Sequence, residues 1–148
     1  MTVVEGIVEH GDARGRTIGF PTANLPLPDT DFAPGAEVED GVWAAQVRIG
    51  PEEWAIAAVS VGRRRTFYGK QGERLLEAHL LDFSGDLYGH TMRVELTAKL
   101  RGQQSFPTVQ ALMEQLHRDV EATRQWAATH RPWLLTAQGP TTREKELV

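Results

Sequence analysis

Short runs of alternating hydrophobicity occupy the first hundred residues. Val3 to His10 alternates in part, with Val4, Gly6 and Val8 set against Val3, Glu5 and Ile7, and predicts a first strand. Val42 to Ile49 alternates well: Val42, Ala44, Gln46 and Arg48 face one way, and Trp43, Ala45, Val47 and Ile49 the other. Trp54 to Val61, rich in small and branched residues, is a further strand, as are Arg74 to Asp82 and Met92 to Leu100, with Phe83-Ser84-Gly85-Asp86 turning between the last two. From Phe106 the period changes to that of a helix. Val109, Leu112, Met113, Leu116 and Val120 form a stripe expected to pack on the core, with Pro107 in the first turn, Ser105 near the cap and an end near Ala128. His130-Arg131-Pro132-Trp133 stops this helix, Trp126 and Trp133 are read as packing residues, and Gly139 to Val148 reads as a loose charged tail. The pattern predicts a mainly β domain over residues 1–129 with one long C-terminal helix, an antiparallel barrel or sandwich, followed by a flexible extension over 130–148.

Between the strands lie segments with special backbone needs. Gly11 to Gly19 sets three glycines among Asp12, Arg14, Arg16 and Thr17. Pro21, Pro26, Pro28 and Pro34 keep the next stretch extended or turning and forbid a helix. Gly62 to Gly72 is a polar, basic loop containing Arg63-Arg64-Arg65, which is either a local anion site or a solvated loop.

Composition narrows the function. The 148 residues carry 16 Lys plus Arg against 20 Asp plus Glu, a net charge of −4, which disfavours binding to nucleic-acid backbones. There is no cysteine, so disulfides, thiolate metal sites and cysteine nucleophiles are excluded. No stretch approaches the ~20 apolar residues of a membrane span and no signal-peptide pattern opens the chain, so a cytoplasmic protein is expected. The histidines His10, His79, His90, His117 and His130 show no metal-ligand spacing, and neither zinc nor haem is expected.

Two places carry candidate chemistry. The glycines of Gly11 to Gly19 could gather backbone N–H groups around an anion, with Arg14 and Arg16 adding charged donors, although by spacing alone a plain glycine loop serves as well. Thr22 and Asn24 share a face if the backbone is extended, so their oxygens would converge. Such a neutral pair suits Mg2+ arriving with a nucleotide, and equally suits local turn chemistry.

The run Gly11 to Asn24, ending Gly-Phe-Pro-Thr-Ala-Asn, resembles the signature of the riboflavin kinase family, the kinase module of bacterial bifunctional enzymes that make FMN and FAD. Asp40-Gly41-Val42-Trp43-Ala44, Leu76 to Phe83, Gly85-Asp86-Leu87-Tyr88-Gly89 and a helix with Leu112, Leu116, His117 and Asp119 extend the resemblance over roughly residues 4 to 128. It implies a six-stranded antiparallel Greek-key barrel with a C-terminal helix, and transfer of the γ-phosphate of MgATP to the 5′-hydroxyl of riboflavin, giving FMN and ADP. Glu77 would be the catalytic base. Thr22 and Asn24 would hold Mg2+, and Gly11, Gly15, Arg16 and Gly19 would belong to a flap over the ATP phosphates. Arg65, Thr66 and Phe67 would meet the flavin, with Arg118 a further contact from the helix. Ser60 and Arg65 depart from the family's usual Asn and Pro in this loop, which leaves a non-catalytic flavin or nucleotide sensor, or a kinase for another small alcohol, as alternatives. The resemblance implies a monomer, and 148 residues leave no room for a nucleotidyltransferase domain.

Overall fold

The five strand runs and a short piece of the proline-punctuated stretch become six antiparallel strands: β1 (Thr2–Ile7), β2 (Ala23–Pro26), β3 (Gly41–Arg48), β4 (Trp54–Arg63), β5 (Arg74–Leu80) and β6 (Thr91–Arg101). Two helices follow, α1 (Val109–His130) and α2 (Pro132–Ala137). The structure is a computed structural model and describes residues 1–10, 19–29, 35–63 and 72–137.

The strands form one sheet in the order β1-β6-β3-β4-β5-β2. The sheet curls until its two edges meet. Past the end of β1, the Glu9 N–H donates to the Asn24 carbonyl at 2.9 Å, and Glu9 and Asn24 bridge antiparallel. The result is the expected mainly β, six-stranded, nearly closed Greek-key barrel, its two edge strands joined through that bridge. The short strand β2 lies in the proline-punctuated segment, and Pro26 sits at its end, where no ladder N–H is needed.

One face of each strand fills the barrel. Val4, Leu25, Ala45, Val47, Ala57, Val59, Val61, Leu76, Ala78, Met92, Val94 and Leu96 form a single buried cluster. Alanines on β3, β4 and β5 make room for the larger side chains opposite, which a barrel of six strands requires. A second, outer cluster of Ile56, Leu81, Ala127 and Leu134 forms where α1 and α2 cover β4, with Trp54, Val120 and Trp126 packed against it.

The helix packs on its expected side but buries the C-terminal continuation of that face most deeply. Its buried residues are Asp119, Thr123 and Ala127, while Val109 is exposed and Leu112, Met113 and Leu116 are half-buried. The reason lies in the surface beneath. The outer faces of β3 and β4 present the buried alanines Ala44 and Ala58 where α1 crosses, and β6 ends in Arg101, so small and polar side chains fit the contact. The N-cap is Thr108, whose Oγ1 accepts from the Ala111 N–H at 3.1 Å, so Pro107 precedes the cap instead of lying in the first turn. The helix continues to His130, and past Arg131 a further helix buries Leu134. Trp133 is 60% exposed, not packed, and the Arg131 guanidinium sits 5.6 Å from the rings of both Trp126 and Trp133. Residues 138–148 lie outside the described residues.

Candidate active site

Strand register assembles the site. On β5, Leu76, Ala78 and Leu80 point into the barrel, so Glu77 lies on the outer face, as its alternation predicts. Asn24 on β2 stands directly opposite Glu77, and Ser60 on β4 stands opposite it on the other side. The row continues through Val42 on β3 to Arg101 on β6. Residues paired in this way have Cβ atoms about 5 Å apart, so Asn24, Glu77 and Ser60 form one polar strip across three strands.

At one end of the strip, the Thr22 hydroxyl donates to Asn24 Oδ1 at 3.2 Å, and Asn24 is only 4% exposed. The two oxygens converge as their spacing suggests. Adjacent ligands of an octahedral Mg2+ at about 2.1 Å are separated by about 3 Å. Two neutral oxygen donors at this separation, one of them buried, fit a hard divalent cation that brings further oxygens with it.

Two clefts flank the strip. A cavity of about 150 Å3 includes Thr22 and Asn24 in its lining, with Val8, Leu80, Phe83 and Leu87 on its apolar side. At its rim the His10 and Tyr88 rings stack with centroids 3.6 Å apart. A second cavity, of about 370 Å3, is lined by Glu77, Ser60, Gly62, Gln103 and Ser105 among others. Here the Gln103 amide donates to Ser60 Oγ and to the Val61 carbonyl, both at 2.9 Å. The segment that carries Gln103 is anchored just behind it. Arg101 donates twice to the Asp119 carboxylate, both bonds at 2.8 Å, while Gln115 adds a third at 3.0 Å. Glu77 therefore faces the larger cleft, while its cross-strand neighbour Asn24 faces the smaller one.

The strip is buttressed on its far side. His79, two residues from Glu77 on the same face, contacts the Pro21 carbonyl through Nδ1 at 2.9 Å. The buried Phe20 ring lies 5.3 Å from the His79 ring and 4.9 Å from that of His117 on α1. The segment entering Thr22 is thus held between β5 and the helix.

This combination coincides with a match along the sequence. The flavokinase family model, described as riboflavin kinase, matches residues 1–127. The chain belongs to the riboflavin kinase family. Among similar proteins is the bifunctional riboflavin kinase/FMN adenylyltransferase of Bacillus subtilis, 36% identical over 117 residues, covering 78% of this chain and 35% of that protein. Riboflavin kinase from Trypanosoma brucei superposes with a TM-score of 0.57 at 25% identity, over 91% of this chain and 83% of that one. A structure of a Streptococcus pneumoniae protein named for macrolide efflux gives a TM-score of 0.69 at 41% identity, over 84% of this chain and 38% of that one. Among the described residues no helix is long and apolar enough to cross a membrane. The riboflavin kinase domain in this chain spans a little over a third of the bifunctional relatives it matches.

Of the residues expected to serve a riboflavin kinase, the fold brings Thr22, Asn24 and Glu77 together. Gly19 is exposed with left-handed backbone, φ +87°, at the entry to Phe20. Gly11, Gly15, Arg16, Arg65, Thr66 and Phe67 lie outside the described residues. Arg118 lines neither cleft and donates weakly to Gln115 Oε1, at 3.4 and 3.3 Å. Arg63, first of the basic run, closes β4 and is paired bidentately with Asp29 at 3.0 and 2.6 Å. That pairing holds the Asp29 carboxyl below its ordinary pKa. Spacing did not single out Gln103, Ser105, His10 or Tyr88 as site residues; only the Gly85 to Gly89 turn motif hinted at the last of them.

Proposed function

We propose that this domain transfers the γ-phosphoryl group of ATP to the 5′-hydroxyl of riboflavin, yielding FMN and ADP. The observation that carries the reading is the cross-strand pairing of Asn24 with Glu77, which sets an oxygen-donor pair beside a carboxylate between two clefts.

The smaller cleft takes the nucleotide. Its Val8, Leu80, Phe83 and Leu87 surface with the rim aromatic Tyr88 suits a flat heteroaromatic base, and Thr22 and Asn24 lie where phosphate oxygens would approach. The larger cleft takes riboflavin, with Ser60, Gln103 and Ser105 offering polar groups to the ribityl hydroxyls. Glu77 orients the 5′-hydroxyl and accepts its proton as the new O–P bond forms and the bond from the γ-phosphorus to the β–γ bridging oxygen breaks, releasing ADP. Thr22 and Asn24 would hold Mg2+. When bound, the ion neutralises charge on the phosphate oxygens. The protein's share is positioning, which the three-strand strip supplies through its register. The loop Gly11 to Gly19 with Arg16 would cover the phosphates, and the Arg65 to Phe67 loop would meet the flavin.

The test is Glu77→Gln. This variant should fold and bind ATP as the parent does, with FMN formation slowed by about 10²- to 10⁴-fold. Unchanged turnover by a correctly folded Glu77→Gln protein would remove Glu77 from the role of base.

A further inference from the structure

The turn after β5 is shaped by a residue that touches neither substrate cleft. Asp82 is the one non-glycine residue among those described with left-handed backbone, φ +55°. Its position explains why. Residues two apart in a continuing strand share a face, yet Leu81 sits in the outer cluster while the next residue but one, Phe83, packs against the barrel interior. Leu81 still ends the strand ladder, donating its N–H to the Ile56 carbonyl at 2.8 Å. The chain therefore turns over at Asp82. The residues after this kink, Phe83, Gly85, Asp86, Leu87 and Tyr88, make one wall of the smaller cleft, and Asp86 Oδ1 accepts from the Tyr88 N–H at 2.9 Å within it.

Asp82 is gripped from the helix. Arg124 donates from both terminal nitrogens to the two Asp82 carboxylate oxygens at 2.8 and 2.9 Å. The pair is substantially exposed, with Arg124 and Asp82 side chains at 39% and 45%, so it adds little to overall stability. Its geometry nonetheless selects one backbone conformation for Asp82, because a bidentate fork constrains direction as well as distance.

We propose that Arg124 is a positioning residue for the nucleotide: by pairing with Asp82 it fixes the left-handed turn that carries the Phe83 to Tyr88 wall, so α1 tunes ATP affinity without contacting ATP. The inference rests on reading the smaller cleft as the nucleotide site.

The experiment compares the parent with Arg124→Ala, Arg124→Lys, Asp82→Gly and the Asp82→Gly/Arg124→Ala double variant. KM for ATP, KM for riboflavin, kcat and the melting temperature are measured for each. Arg124→Ala should raise KM for ATP about fivefold, on the scale of one left-handed residue losing its restraint, with KM for riboflavin and kcat within about twofold and the melting temperature within about 3 °C. Arg124→Lys, a single-point donor, should recover part of the loss. Glycine adopts the left-handed turn without strain, so in the Asp82→Gly background Arg124→Ala should change KM for ATP no further. An unaltered KM for ATP in Arg124→Ala, or an equal rise in the Asp82→Gly background, overturns the proposal. So does a parallel change in both KM values and the melting temperature, which marks a merely structural role. ADP titration of the same proteins separates this inference from the kinase reading. A parent that makes no FMN but binds ADP with the same dependence on Arg124 keeps this inference and loses the catalytic one. A parent that does not bind ADP overturns both.

Discussion

Replacing Asp119 by Asn tests whether a buried ion pair organises the larger cleft, the proposed riboflavin site. The Asp119 side chain is 5% exposed and that of Arg101 18%, and they meet in a bidentate pair supported by Gln115. Asp119→Asn keeps the shape but leaves the Arg101 charge without its counter-ion. Removing one partner of a buried pair costs about 3–5 kcal/mol, and because Arg101 retains some access to water the lower end applies, about 3 kcal/mol. For a domain of this size that lowers the melting temperature by about 10 °C. Thermal unfolding followed by far-UV circular dichroism reads it directly. The paired substitution Arg101→Met/Asp119→Leu removes both charges and should recover at least half of the loss, since no charge then remains buried alone. Because Arg101 also bonds the Gly102 carbonyl at 3.1 Å and lies 5.8 Å from the Phe106 ring, the segment lining the larger cleft should loosen in Asp119→Asn. KM for riboflavin should then rise more than KM for ATP. A melting temperature within about 2 °C of the parent would refute the reasoning, showing that water or a neighbouring group solvates Arg101 as well as Asp119 does.

Three further outcomes follow from named contacts. Gly41→Ala should destabilise the domain by about 3 kcal/mol in chemical denaturation, because Gly41 has φ +151° and a Cβ there would lie 2.6 Å from the Arg101 carbonyl oxygen. Thr22→Val removes one of two converging oxygens and should raise the Mg2+ concentration for half-maximal activity about tenfold at saturating ATP, while the fold is kept because Thr22 is exposed. Hydrogen bonding by Arg124 holds the Asp82 carboxyl below its ordinary pKa of 3.8. A depressed carboxyl pKa stabilises the fold above that value and ceases to do so as the pH falls through the folded-state pKa. The small melting deficit of Arg124→Ala at neutral pH should therefore begin to shrink below about pH 3.8 and vanish once the pH is below the folded-state pKa.

Alternation along β3, β4, β5 and β6 made the barrel strands legible, because each inward face is a run of aliphatic residues at a spacing of two. The same alternation put Glu77 off the core side and Thr22 with Asn24 on one side. It could not place Asn24 opposite Glu77, since that register depends on a pairing more than fifty residues distant. The helix was read in the right place and on the right side, but not in its depth of burial. Leu112 and Leu116 share a side of the helix with Asp119, Thr123 and Ala127, and Val120 packs on the outer cluster, yet the most deeply buried positions are small or polar, because Arg101 meets Asp119 and the cluster of Ile56 and Leu81 closes on Ala127. Its cap was misread for a local reason: Thr108 lies three residues before Ala111 and can satisfy that N–H, whereas Ser105 is too early. The turn at Asp82 left almost no trace in the pattern, as Leu81-Asp82-Phe83 reads equally well as the end of a strand.

The most direct test of the central claim is FMN formation by the purified chain from riboflavin and ATP, with and without Mg2+, resolved by chromatography. The account predicts FMN and ADP in equal amounts, dependent on Mg2+ and largely abolished in Glu77→Gln. A protein that binds ATP and riboflavin yet yields no FMN under these conditions would contradict it.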